Sequence, residues 1–189
     1  YIVGLDESSE GQVAFVADGV VPVIATPQGL IPGNDNMDIG SSSGKRYKTV
    51  YAETFDGTAT KAQYADLAEN YLADNQYEVG TVLIFGGDTE VTTTALRGDT
   101  RVAGVVSENP AHLMNNALEG DNVTAVALTG RTPIKVVGIV QKGDMLISSS
   151  TQGFAVRSTD PKVGTVIGKA LENKTDAGEG VIEAVVGRV

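Results

Sequence analysis

Short valine-rich runs, broken every few residues by Gly, Asp, Asn, Ser or Pro, set the rhythm of this chain. From Glu78 onward they recur as Val79–Phe85, Glu90–Ala95, Val102–Ser107, Val123–Leu128, Ile134–Val140, Met145–Ser148, Gly153–Arg157, Gly164–Ala170 and Val181–Val185. Runs of this length between turn residues predict strands. The first third repeats the pattern at Tyr1–Leu5, Gln12–Ala17 and Val20–Ala25, with Pro27 and Pro32 bracketing a further short piece. Tyr47–Phe55 alternates Tyr47, Thr49, Tyr51, Glu53 and Phe55 against Lys48, Val50, Ala52 and Thr54. Both faces are partly apolar, which predicts a strand covered on both sides. QKGDMLISSSTQGFAVRS predicts a hairpin, with Gly143-Asp144 turning into its first strand and Thr151-Gln152-Gly153 into its second. The stretches VAGVVSE, VVGIVQKGD and VGTVIGKALE are loosely alike. They predict similar strands in a barrel or roll rather than a sequence repeat.

One segment departs from this rhythm. Thr60–Leu72 is alanine-rich, and helical spacing puts Ala65, Ala68 and Leu72 on one stripe with Tyr64, Leu67 and Tyr71 beside it. Thr58 or Thr60 is a suitable cap. A helix this short needs packing to hold it. A bundle around a symmetry axis would use Ala65, Ala68, Leu72 and Tyr64 as contacts between copies, and packing on the following domain serves equally well. The expected fold is therefore mainly β: an N-terminal β module over residues 1–57, a helical junction over 58–75, and a C-terminal β-barrel or β-roll over 76–189. The N-terminal strands are too closely spaced to enclose a large core, so an intertwined oligomer would supply the missing apolar partner.

Composition narrows the function classes. Fourteen basic and twenty-four acidic residues give a formal charge of −10, which argues against nucleic acid and anionic membranes as partners. The absence of cysteine excludes disulfides, thiolate nucleophiles and cysteine metal sites. The longest apolar runs, such as Val20–Ala25, are far too short for a membrane-spanning helix. The opening YIVGL already reads as a strand, so the chain is expected to be a piece of a longer polypeptide.

Candidate chemistry is sparse. Ser107, Glu108, Asn109 and His112 follow one strand, and Asp66, Glu69 and Asn70 lie near the expected helix. A hydroxyl or amide beside carboxylates and one histidine can support backbone cleavage. The same S-E-N-P-A-H run is also ordinary loop chemistry, with Asn109 before Pro110 starting a turn. A single histidine excludes a multi-histidine zinc site. Asp35 and Asp38, with Asn34 and Asn36, could offer oxygens to Ca²⁺, but an Asx-rich turn is the default and the EF-hand spacing is absent. No cofactor is expected. Gly40–Gly44 followed by Lys45 and Arg46 lacks phosphate-loop spacing. Arg97-Gly98-Asp99 spells an adhesion tripeptide, although a central Gly equally suits a hairpin tip. Tyr47, Tyr51 and Phe55 on one strand face suit packing or a host-glycan platform.

The run DIGSSSGKRYKTVYAETFDGTATKAQYADLAENY resembles the element that leads into the C-terminal domain of tailed-phage fibre, spike and appendage proteins. The family pattern G-S-S-x-x-R-x-x-x-V-Y-A corresponds to Gly40-Ser41-Ser42, Arg46 and Val50-Tyr51-Ala52. Tyr64 to Glu69, Gly80, Ala103 to Ser107, Pro110-Ala111, Gly143-Asp144 and Ile167-Gly168 resemble the autoproteolytic, intramolecular-chaperone C-terminal domain of tailspikes and neck appendages. The resemblance covers about residues 36–175. It implies a homotrimer within a virion tail fibre or appendage, beside other virion proteins. It also implies a terminal domain that assists assembly of an upstream shaft and sometimes cleaves itself away. Carried over, the catalytic candidates are Ser107, Glu108 and Asp66. The family's Y-A-E-x-F-E stands here as Tyr64-Ala65-Asp66-Leu67-Ala68-Glu69, with Asp for the first Glu and Ala for the aromatic.

Overall fold

The structure, a computed structural model, describes residues 13–17, 20–26, 29–32, 47–52, 61 and 64–187. The chain divides into two units, Tyr1–Gly57 and Thr58–Val189. In the first, β1 (Val13–Ala17), β2 (Val20–Thr26) and β3 (Gly29–Pro32) form an antiparallel sheet with a bulge between Phe15 and Ala17. The expected strand at Tyr47–Phe55 is not formed over its described part: residues 47–52 are exposed and irregular. Phe55, Asp35, Asp38 and the first expected strand lie outside the described residues.

The second unit is all-β around a closed five-stranded barrel. Its strands are β4 (Asp66–Leu72), β5 (Val82–Phe85), β6 (Val91–Thr92), β7 (Val102–Val106), β8 (His112–Met114), β9 (Val123–Val137), β10 (Met145–Ser148), β11 (Ala155–Ser158), β12 (Val166–Ala170) and β13 (Glu179–Gly187). The barrel runs β9-β11-β10-β12-β13 and back to β9, closed by the parallel β11–β9 pairing at Ala155 and Val136. The hairpin β10–β11 is in register from Met145–Ser158 to Ser148–Ala155, as its turn residues require. Ile134, Leu146, Ile167, Ile182 and Val186 fill the barrel core. A second cluster of Leu83, Val91, Val106 and Val126 is flanked by Tyr71 and Phe85, whose rings meet edge-on at 5.6 Å.

In this unit the sequence reading is corrected at a long strand and at the expected helix. Val123–Leu128 and Ile134–Val140 belong largely to one fifteen-residue strand, β9, which passes through Gly130 and Pro133 without turning. Its second half is held by β13 over nine paired positions. The expected helix over Thr60–Leu72 is corrected by β4, which occupies Asp66–Leu72 between β9 and β8. Local helix propensity there is outweighed by ladder bonds and by burial alternating at Asp66, Ala68 and Asn70. No helical stripe therefore exists in 66–72. Ala68 is fully buried within its own chain, Leu72 is half-buried, and Tyr64 and Ala65 are exposed.

The adhesion tripeptide is consumed by the fold. Asp99 is only 2% exposed. Its carboxylate accepts from Arg101 Nη2 at 2.7 Å and Nε at 3.0 Å, from the Arg101 backbone N–H at 3.0 Å, and from Thr94 Oγ1 at 2.9 Å. The Arg101 guanidinium, helped by its backbone N–H and Thr94, lowers the Asp99 pKa to about 2 against the opposing effect of burial. A depressed carboxylate contributes fully above its unfolded value near 3.8 and loses that contribution as pH falls through about 2. Thermal unfolding between about pH 5 and about pH 2 should therefore show a loss of stability that Asp99→Asn flattens, starting from a lower Tm. An unchanged slope in the variant would contradict this role.

Candidate functional site

Asp66 opens β4, where two strands come unusually close. A Cβ added to Gly130 would lie 2.1 Å from the Ala65 carbonyl oxygen and 2.6 Å from Asp66 Cα, and Gly130 has φ +110°. Only glycine fits this contact. The Arg131 N–H donates to the Ala65 carbonyl at 3.2 Å, and the Ala111 N–H donates to the Asp66 carbonyl at 2.9 Å. The Asp66 backbone is thereby held from both sides.

Ser107 arrives from β7, which pairs with β9 at Val105–Ala127 and Val106–Val126. Its N–H donates to the Ala125 carbonyl at 2.9 Å. With β4 and β7 both aligned on β9, the Ser107 hydroxyl donates to Asp66 Oδ2 at 2.6 Å. Both residues are buried. A pocket of about 280 Å³ opens over the pair, lined also by Tyr64, Glu108, Asn109, Arg131 and Glu183. Glu108 is exposed at its wall.

The three candidates Ser107, Glu108 and Asp66 thus line one pocket, and two of them are in direct contact. His112 does not line that pocket; it lies on β8, exposed and paired with Leu67. A carboxylate 2.6 Å from a hydroxyl can take its proton when the oxygen attacks a carbonyl. Arg131, lining the same pocket, offers positive charge for a developing oxyanion. The same hydrogen bond also has a purely architectural use, because a buried carboxylate requires a donor. Among the described residues no cluster of His, Cys, Asp or Glu is arranged to hold a metal ion.

Sequence reading missed Arg131, and it named Asn70 without its partner Asn115. Asn70 exchanges amide bonds with Asn115 across the loop after β8, Asn115 Nδ2 to the Asn70 carbonyl at 3.1 Å and Asn70 Nδ2 to the Asn115 carbonyl at 3.3 Å. Asn115 has φ +53°, a conformation asparagine tolerates better than most residues. The available signal was the two-residue spacing of Asp66, Ala68 and Asn70, a buried face with polar ends.

No family model matches the chain, and no curated protein matches it. Among solved structures it is similar to the head fiber gp8.5 N base in bacteriophage phi29, at 19% identity and a TM-score of 0.39. That match covers 64% of this chain and 93% of the other. A likeness at this level carries no role across.

Proposed function

We propose that the chain is a structural component of a phage tail fibre or virion appendage. In this reading it works as a homotrimer in assembly or capping, beside other fibre or tail proteins, with a role in host attachment. The carrying observation is where the resembling motifs fall. Gly104 and Gly168 sit where an added Cβ would lie 2.2 Å from the Ala127 carbonyl oxygen and 2.1 Å from that of Val185. Gly80 has φ +83° and abuts the backbone of β9. These motif positions serve strand packing, which favours a recurring architectural module. Gold-labelled antibody against residues 64–187 on intact virions tests this reading. Label on fibres or appendages supports it, and virions that never take the label overturn it.

A second reading, self-cleavage by the terminal domain, is favoured by the buried Ser107–Asp66 bond alone. In a chain extended upstream of Tyr1, cleavage would accumulate with time and stop in Ser107→Ala and in Asp66→Asn. Intact-mass spectrometry checks this. A wild-type chain that stays whole, or variants that cleave at the wild-type rate, would exclude it.

A further inference from the structure

The pocket over the Ser107–Asp66 pair holds more acceptor atoms than that bond uses. Asp66 is 5% exposed and takes the Ser107 hydroxyl on Oδ2, while no described residue donates to its Oδ1. Thr132, on β9, is 3% exposed, and its hydroxyl has no hydrogen-bond partner among the described residues. Among those residues every side-chain oxygen sealed from solvent does have a partner. Asp66 Oδ1 and Thr132 Oγ1 therefore reach solvent, and the pocket is the opening that both residues line. Two nearly buried oxygens without a donor carry a desolvation cost that a ligand's donors would remove.

The rest of the lining sets the sign of that ligand. Asp66, Glu108 and Glu183 bring three carboxylates against the single guanidinium of Arg131. No described residue forms an ion pair or hydrogen bond with the Glu108 or Glu183 side chain. A concave wall of one prevailing sign concentrates the field inside it and draws in cations. The exposed Tyr64 ring at the same wall adds an aromatic face of the kind that attracts them. The described acidic residues are not gathered to ligate a metal ion, which needs several oxygens at about 2.0–2.6 Å. An ammonium group asks less, because its N–H donors reach acceptors at about 2.7–2.9 Å in separate directions. Asp66 Oδ1, Thr132 Oγ1 and the lone pairs of Ser107 Oγ are such acceptors, the Ser107 proton being spent on Asp66.

We infer that this pocket binds a primary alkylammonium group, held by Asp66 Oδ1, Thr132 and Ser107 within the field of Glu108 and Glu183. Binding needs the folded pocket alone. It requires neither self-association nor peptide cleavage, so it goes beyond both readings above.

Amide chemical-shift titration of the isotope-labelled full chain with n-butylammonium chloride, at constant ionic strength, tests the site. Saturable shifts centred on Asp66, Ser107 and Thr132 are expected. Butanol should not produce them, and tetramethylammonium, which has the charge without N–H donors, should bind about tenfold more weakly or worse. Asp66→Asn should weaken butylammonium binding by about tenfold or more, and Thr132→Val by several-fold. Arg131→Gln should tighten it by removing the opposing charge. Should Asp66→Asn fail to fold, Glu183→Gln carries the charge test. Ser107→Ala keeps the Asp66 charge and should still bind, although it would stop cleavage outright, so the two roles separate. N-acetyl-lysine methylamide and putrescine distinguish the sources of the group. Tighter binding of the first assigns it to a protein side chain, and of the second to a free amine. Equal shifts with butanol, shifts spread over the acidic surface without saturation, or binding unmoved by the charge variants would overturn the site.

Discussion

Gly168→Ala is expected to lower the stability of the second unit by about 3 kcal/mol or more, at the upper end of what overpacking costs. The added methyl would lie 2.1 Å from the Val185 carbonyl oxygen and 2.9 Å from Val186 Cα, so backbone rather than a yielding side chain is in the way. Relief requires β12 and β13 to separate, and that would open the barrel wall at Gly168–Val186. Gly143→Ala is the control. Its φ is +93° but nothing lies within 4 Å of the new methyl, so it should cost only the backbone strain of about 1 kcal/mol. Urea unfolding of the two variants would separate steric from conformational cost. Equal losses would contradict the close approach of β12 and β13.

Lys174→Met should produce the next largest loss, about 2 kcal/mol. Lys174 is buried, and its ammonium donates to the Gly178 carbonyl at 2.6 Å, the Asp176 carbonyl at 2.8 Å, Asp176 Oδ1 at 2.8 Å and the Gly138 carbonyl at 3.3 Å. One cation thus ties the 174–178 loop to the chain leaving β9. Methionine keeps the volume and leaves the carbonyls without that donor. Arginine should not restore the loss, because a planar fork does not match oxygens gathered around a point. Hydrogen exchange at Val140 and Lys174, whose backbones bond reciprocally at 2.8 and 3.0 Å, would report the loosened loop. Protection unchanged in Lys174→Met would contradict the role given to the ammonium.

What could be read from sequence follows from how local each cause is. The β10–β11 hairpin was legible because Gly143, Gly153 and the alternating residues between them act over a few positions. The strand β9 was misread as two because Gly130 and Pro133 look like breakers. The pairing that carries the chain through them comes from β13, some fifty residues away. Helix was expected over Asp66–Leu72 because Ala, Leu and Glu favour it locally. The strand wins through non-local partners, with Asp66 bonded to Ser107 and Asn70 to Asn115. The catalytic candidates were named from residue chemistry and then carried over by a resemblance, but the contact between Ser107 and Asp66 needed β4 and β7 aligned on β9, which no spacing reveals. Asp99 and Lys174 were invisible as buried charges for the same reason. Each sits in a loop of polar residues, and burial there is decided by strands remote in sequence.

In the proposed reading this chain works as a self-associating structural module. Light scattering of the purified chain across a dilution series tests it most directly. A persistent mass of three copies of the 19.6 kDa chain is expected. A mass of one copy at every concentration would contradict it.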